Sequence, residues 1–220
     1  MNKTITMLAA LVASATIAGC ADTATQHRNA TAGGAVPIAV PSGAANACQA
    51  DAAPDDALIG TFALVPQLVD ATGLPVLAAG GIMDGRGIAA ALALGAQAAQ
   101  LGTAFLTCTE SAIAPDWKAR VRASADTSTQ VTRAITGRHA RGLRNTLMVR
   151  LGEHVAEVPP YPVQNALTQP LRQAAARAND GDYLSLWAGQ GAPLTRRRDA
   201  ALSAAQLVDA LDAEWRAMAA

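Results

Sequence analysis

The run PVLAAGGIMDGRGIAAALALGAQAAQLGTAF, Pro75 to Phe105, twice carries a short apolar stretch into a glycine break. Val76-Leu77-Ala78-Ala79 ends at Gly80-Gly81, and Ala98-Ala99-Gln100-Leu101 ends at Gly102-Thr103. Between them Asp84 opens a segment with Ile88, Leu92 and Leu94 on one helical face, and Gly95 closes it. Short buried strands separated by an amphipathic helix are the pattern of a βαβ unit, whose two strands lie parallel. Parallel neighbours finish at the same edge of their sheet, so both glycine breaks are expected to open on one side. There, main-chain N–H groups without an obstructing Cβ can receive a phosphate, and Thr103 adds a hydroxyl. The plainer alternative is that the glycines only permit tight strand-to-helix turns.

The surrounding chain extends this pattern. Phe62, Leu64, Val65, Leu68 and Val69 recur at helical spacing from about Leu58, and Gly73 ends the segment. A helix is expected over Pro115 to Ala123, and a third strand of the same sheet over about Gln130 to Ile135. Helices are expected again over Pro162 to Ala178 and Ala204 to Met218, with the glycine-ended apolar turn Tyr183–Gly191 between them. Alternating strands and helices followed by a helical region imply an α/β domain over residues 58–220.

Residues 1–20, MNKTITMLAALVASATIAGC, have an early Lys3, an apolar stretch and a small-residue end at Cys20, which reads as a secretory signal peptide with a lipobox-like terminus. On this reading Cys20 carries a lipid anchor and the protein is exported and membrane-attached; without a working leader it is cytoplasmic. Residues 21–57 are rich in Ala, Thr, Gly, Asn, Pro and Asp and read as a linker, with one short strand at 36–40. Lys plus Arg equals Asp plus Glu, and aromatic residues make up only 3% of the chain, which argues against a nucleic-acid partner. The three cysteines, Cys20, Cys48 and Cys108, lack metal-ligand spacing, so no metal site is expected. Cys108 reads as a buried small hydrophobe that could pair with Cys48 in an oxidising compartment.

The motifs AAGGIMDGRGIAAALALGAQAAQLGTAFLTC, TRAITGRHARGLRN, PYPVQNALTQPLRQAA and DYLSLWAGQG together resemble the nitronate monooxygenase family, formerly grouped as 2-nitropropane dioxygenases. The likeness covers about Leu58 to Ala220. It implies the C-terminal strands of a TIM (β/α)8 barrel, here a partial barrel, with a helical C-terminal appendage. It also implies FMN as cofactor and the oxidation of alkyl nitronates by molecular oxygen. Carried onto this chain, it places Gly80, Gly81, Gln100, Leu101, Gly102 and Thr103 at the FMN phosphate.

Two departures accompany the likeness. The family's glycine-rich motif with a histidine base has no counterpart; by spacing Asn46 falls there, and an amide is not a base near neutral pH. The catalytic residue is therefore unassigned. His27, His139 and His154 read as exposed or locally bonded, although at His139 the family more often carries a small or rigid residue. The arginines Arg133, Arg138, Arg141 and Arg144 read as a solvated loop with surface ion pairs, against the rival reading of an anion site. Trp187 reads as a packing residue rather than a flavin neighbour. The family's earlier strands are also missing, so the activity of this chain is in question and its sheet edges need covering or pairing. The rival readings are a non-catalytic, membrane-tethered half-barrel that binds a phosphate ligand or self-associates through its edges, and a gene-rearrangement product without function.

Overall fold

The computed structural model of the protein describes the backbone of residues 38–41 and all of residues 59–219. Cys20, His27, Asn46 and Cys48 lie outside the described residues, as does nearly all of the leader and linker.

Three strands form a parallel sheet in the order β1 (Ile38–Pro41), β2 (Val76–Ala79) and β3 (Ala98–Gln100). Ala39 stands opposite Leu77, and Ala78 opposite Ala99. β1 lies close to the strand expected at 36–40 and is a full member of the sheet. Helix α1 (Thr61–Thr72) precedes β2 and ends where Gly73 turns left-handed, at φ 62°. Helix α2 (Gly85–Ala93) joins β2 to β3. Asp84 caps it as expected, its carboxylate accepting from the N–H groups of Arg86 and Gly87 at 3.1 and 3.3 Å.

The core of this unit lies between the sheet and its helices. Val76, Ala78, Ile82, Ile88, Ala91 and Leu101 are buried together with Leu207 and Leu211. The last two belong to helix α6 (Ala204–Ala219), which packs along α2. The C-terminal helix therefore covers a helix formed more than a hundred residues earlier. Glu214 pins that contact: Oε2 accepts from the Gly85 N–H at 2.9 Å and from Arg198 Nη2 at 2.8 Å. The Arg198 guanidinium, chiefly, and the Gly85 N–H hold the Glu214 carboxyl below its ordinary pKa.

After β3 the chain leaves the sheet. A 3-10 turn (Thr103–Phe105) leads to helix α3 (Pro115–Ala123). The expected third parallel strand is not formed. Instead β4 (Thr129–Thr132) pairs antiparallel with β5 (Ala140–Leu143) as a separate hairpin. The physical reason is visible in its residues. Thr-Gln-Val-Thr lacks the continuous apolar run of a strand covered on both faces, and Gly137, at φ 87°, helps turn the chain straight back. The fold is α/β, with an open three-stranded parallel sheet among the described residues rather than a closed barrel.

Helices α4 (Thr146–Gly152) and α5 (Val163–Ala178) complete the appended layer. Asn145 organises it. Buried to 6% exposure, it caps α4 by accepting from Met148 N at 3.0 Å, and its amide donates to the carbonyls of Gly181 and Leu184 at 2.8 Å each. Both N–H donors of its amide go into fixing the segment that leads to Trp187. Trp187 packs against Ile135, Leu147 and Met148, in keeping with a packing role.

Two stability tests follow. Replacing Asn145 by Leu removes the cap and strands two buried carbonyls, so thermal melting should fall by the equivalent of about 2–4 kcal/mol. The Glu214 contribution should be complete above its ordinary pKa of 4.5 and be lost as pH falls through its lower folded value. The melting temperature of Glu214→Gln should accordingly lie below wild type at neutral pH and converge with it on acidification. A gap that persists undiminished at acid pH would contradict this assignment.

Candidate functional site

The pairing of Ala79 with Gln100 puts the residues that follow, Gly80-Gly81 and Leu101-Gly102, side by side beyond the ends of β2 and β3. The two breaks therefore share one edge of the sheet. Gly81 adopts φ 75°, a backbone region that disfavours side chains. A Cβ placed on Gly81 or on Gly102 would meet no atom within 4 Å. The space over both residues is open, and bare backbone faces it.

A residue absent from the sequence-level site fixes the direction of that backbone. The Thr61 hydroxyl, from the start of α1, donates to the Gly80 carbonyl at 2.8 Å. In a trans peptide the C=O and the following N–H point in opposite directions. Anchoring the Gly80 carbonyl on α1 therefore turns the Gly81 N–H away from α1. The second break uses the same geometry. The Gly102 carbonyl accepts from Phe105 N at 3.0 Å, which points the Thr103 N–H outward.

A third segment closes in. The Gly189 N–H donates to Thr103 Oγ1 at 2.9 Å. A Cβ on Gly191 would lie 2.6 Å from Met83 Cγ and 3.3 Å from the Gly81 carbonyl oxygen, so only glycine allows this approach. The Gly189-Gln190-Gly191 loop thus lies against both strand-end breaks. Thr103 Oγ1 accepts from Gly189, and its own proton makes no hydrogen bond among the described residues, so it is available to an anion. Glycine spacing in the motif WAGQG was the available signal for this loop; nothing in the sequence singled out Thr61.

The six expected site residues separate by role. Gly81, Gly102 and Thr103 present main-chain and hydroxyl donors. Gly80, at φ 108°, makes the turn, and its carbonyl is occupied by Thr61. Gln100 ends β3 and is half-buried. Leu101 is only 6% exposed and packs in the core with Ala104 and Phe105, so only its main chain can face a ligand. An open groove of about 270 Å³ lies between Met83, Arg86, Leu194, Arg198, Glu214 and Met218, and none of the glycine breaks lines it.

The other candidates lie apart from this cradle. Cys108 is buried, and burial raises its thiol pKa, which makes it a packing residue rather than a nucleophile. His154 is exposed, 3.5 Å from Glu157. His139 is half-buried, and burial followed by the charge of Arg133 holds it below its ordinary pKa. The arginine loop is not the expected set of surface ion pairs: among the described residues, Arg133, Arg138, Arg141 and Arg144 pair with no carboxylate. They lie on and around the β4–β5 hairpin, while Asp116 and Asp182 are both taken up by Arg120.

Comparison with known proteins fits this geometry. The family model for nitronate monooxygenase matches residues 4–214. A probable nitronate monooxygenase of Staphylococcus saprophyticus is 47% identical over 143 residues, covering 65% of this chain and 40% of that protein. One of Staphylococcus aureus is 43% identical over 133 residues, covering 60% and 38%. Among solved structures, nitroalkane oxidase from Streptomyces ansochromogenes superposes with a TM-score of 0.68 at 45% identity, covering 77% of this chain and 48% of that one. FabK from Thermotoga maritima superposes with a TM-score of 0.62 at 33% identity, covering 73% and 50%. The chain spans about two fifths of the length of the curated relatives it matches. With its paired strand-end glycines, its parallel sheet and a family match over nearly its whole length, this chain belongs to the nitronate monooxygenase family.

Proposed function

We propose that the glycine cradle holds the terminal phosphate of FMN and that the chain serves in the oxidation of alkyl nitronates by molecular oxygen. One observation carries this reading. Gly81 and Gly102 end neighbouring parallel strands, in register, with open space where side chains would stand. The Gly81 and Thr103 N–H groups and the Thr103 hydroxyl would hold the phosphate oxygens. Charge-assisted bonds of this kind are about twice as strong as neutral ones. When bound, FMN supplies the electron transfer between nitronate and oxygen; the chain's own residues bind and orient it. The barrel fold belongs to the same proposal, with β1 to β3 as part of its wall.

A leader ending at Cys20 would carry this domain to a membrane surface, and this localisation is likewise proposed. A second reading rests on the sheet itself. With three described strands it has two outer edges, β1 and β3, and such edges pair with further strands unless they are covered. A phosphate-binding half-barrel completed by a second copy accounts for them equally well. Sedimentation of the purified chain distinguishes the readings: a stable dimer supports edge pairing, and a monomer that binds FMN does not.

The cofactor assignment is tested by adding FMN to the purified chain and separating bound from free. A visible flavin band co-eluting with protein near equimolar ratio is expected, and a colourless protein would overturn the assignment. Gly102→Ala should melt as wild type does, because its new Cβ meets no protein atom, yet bind FMN on the order of tenfold more weakly because it intrudes on the phosphate. Thr103→Val should lower stability by about 1 kcal/mol through loss of the Gly189 bond, and weaken FMN binding as well.

A further inference from the structure

Three segments converge on the open groove of about 270 Å³: the chain entering α2, the 3-10 turn Ala192–Arg197 with the residue after it, and the last turns of α6. Its lining has two chemistries. Met83, Leu194, Ala217 and Met218 supply apolar surface. Met83 is only 5% exposed, whereas Met218 is 58% exposed, an apolar side chain left in water at the groove edge. The polar lining holds three guanidiniums, Arg86, Arg197 and Arg198, and two carboxylates, Asp84 and Glu214. It therefore carries one positive charge in excess.

The hydrogen bonds within the groove decide what it can take. Both carboxylates are committed. Asp84 Oδ1 accepts from the N–H groups of Arg86 and Gly87, and Oδ2 from Arg86 Nε and Nη2 at 3.1 and 2.6 Å. Glu214 takes both terminal nitrogens of Arg198 and the Gly85 N–H. The start of α2 is thus already capped and offers no anion site of its own. What stays uncommitted is donor capacity: Arg86 Nη1 and all of the Arg197 guanidinium make no hydrogen bond or ion pair among the described residues. A groove with spare donors and satisfied acceptors is matched by a ligand that only accepts. The groove adjoins the cradle loop, since Met83 packs against Gly191 and Leu194 N donates to the Gly191 carbonyl at 2.9 Å. Gly81, Gly102 and Thr103 are not among its lining residues.

We propose that this groove is a ligand site separate from the cradle, for a small carboxylic acid anion with a short apolar tail. The carboxylate is taken by Arg197 and Arg86 Nη1, a guanidinium fork being matched to two oxygens on one planar centre. The tail lies along Met83, Leu194 and Met218. Glu214 and Met218 are one turn apart on α6, about 6 Å, which sets the distance from the charged end of the groove to its apolar end. An apolar cavity of about 150 Å³ holds benzene, so a groove of about 270 Å³ has room for a six-carbon acid. The unbranched, polarisable side chain of Met218 can fold onto such a tail. The site stands whether or not the cradle binds FMN.

The test uses hexanoate and its neutral counterpart hexanamide, added to the full chain at constant ionic strength. The chain has five methionines, and their methyl groups are followed by NMR, with single Met→Leu variants to assign them. Hexanoate should shift the Met83 and Met218 methyls saturably and leave that of Met148, buried with Ile135 and Leu147, in place. Hexanamide should bind on the order of tenfold more weakly, the value of one charge-assisted contact. Arg197→Gln should weaken hexanoate by a similar factor, while Arg150→Gln, which removes an exposed cation on α4, should not. Arg197 makes no contact that folding needs, so its variant should melt as wild type does. Gly102→Ala, a change at the cradle, should leave the hexanoate affinity as it is; a loss there would put the anion in the cradle and overturn the groove site. Equal affinity for acid and amide, a Met148 shift that parallels the other two, or no shift in a folded chain would overturn it as well.

Discussion

Parallel pairing of Val76–Ala79 with Ala98–Gln100 is the constraint on which the rest of this molecule depends. It fixes which main-chain groups stand next to each other where the strands stop. Slipping the register by one residue would turn every side chain to the opposite face and bring different residues to the edge. Burial resists such a slip, because Val76, Ala78 and Ala79 are all within the core. The hydrophobic effect that stabilises the sheet thereby also sets the geometry of the cradle.

The second layer is tied to the first by few but specific contacts. Asn145 holds the Gly181–Leu184 segment, and Gly189 reaches back to Thr103. Glu214 and Arg198 join the C-terminal helix to the start of α2. Thr103 and Glu214 use side chains to satisfy main-chain N–H groups of Gly189 and Gly85 across the join, while Asn145 does the same for carbonyls within the second layer. Misplacing the partner would leave a buried polar group unsatisfied, so these contacts fix relative position as well as adding stability.

Much of the first layer was legible in the sequence. Periodicity and terminal glycines located α1, β2, α2 and β3 because local signals and tertiary packing agree there, as in the Asp84 cap and the Gly73 turn. The 130–135 strand was placed in the wrong sheet. Its length fitted a parallel strand, and what overrode that was its polar sequence and the reversal at Gly137. The arginine loop was read as solvated because exposed arginine is the usual case; its lack of carboxylate partners is a property of the fold. Thr61 was invisible for the same reason, since its hydroxyl acquires meaning only when the pairing of β2 brings the Gly80 carbonyl within 2.8 Å.

The hydroxyl of Thr103 is a joint between two bodies of the molecule. It accepts a hydrogen bond from the Gly189 N–H while its own O–H remains free to donate one. Once that hydrogen is donated to an anion, the oxygen becomes richer in electron density and a better acceptor, so the bond from Gly189 tightens. Occupancy at the strand ends and order in the loop after Trp187 are thus coupled through a single atom, and exchange of the Gly189 amide with solvent slows when the cradle fills.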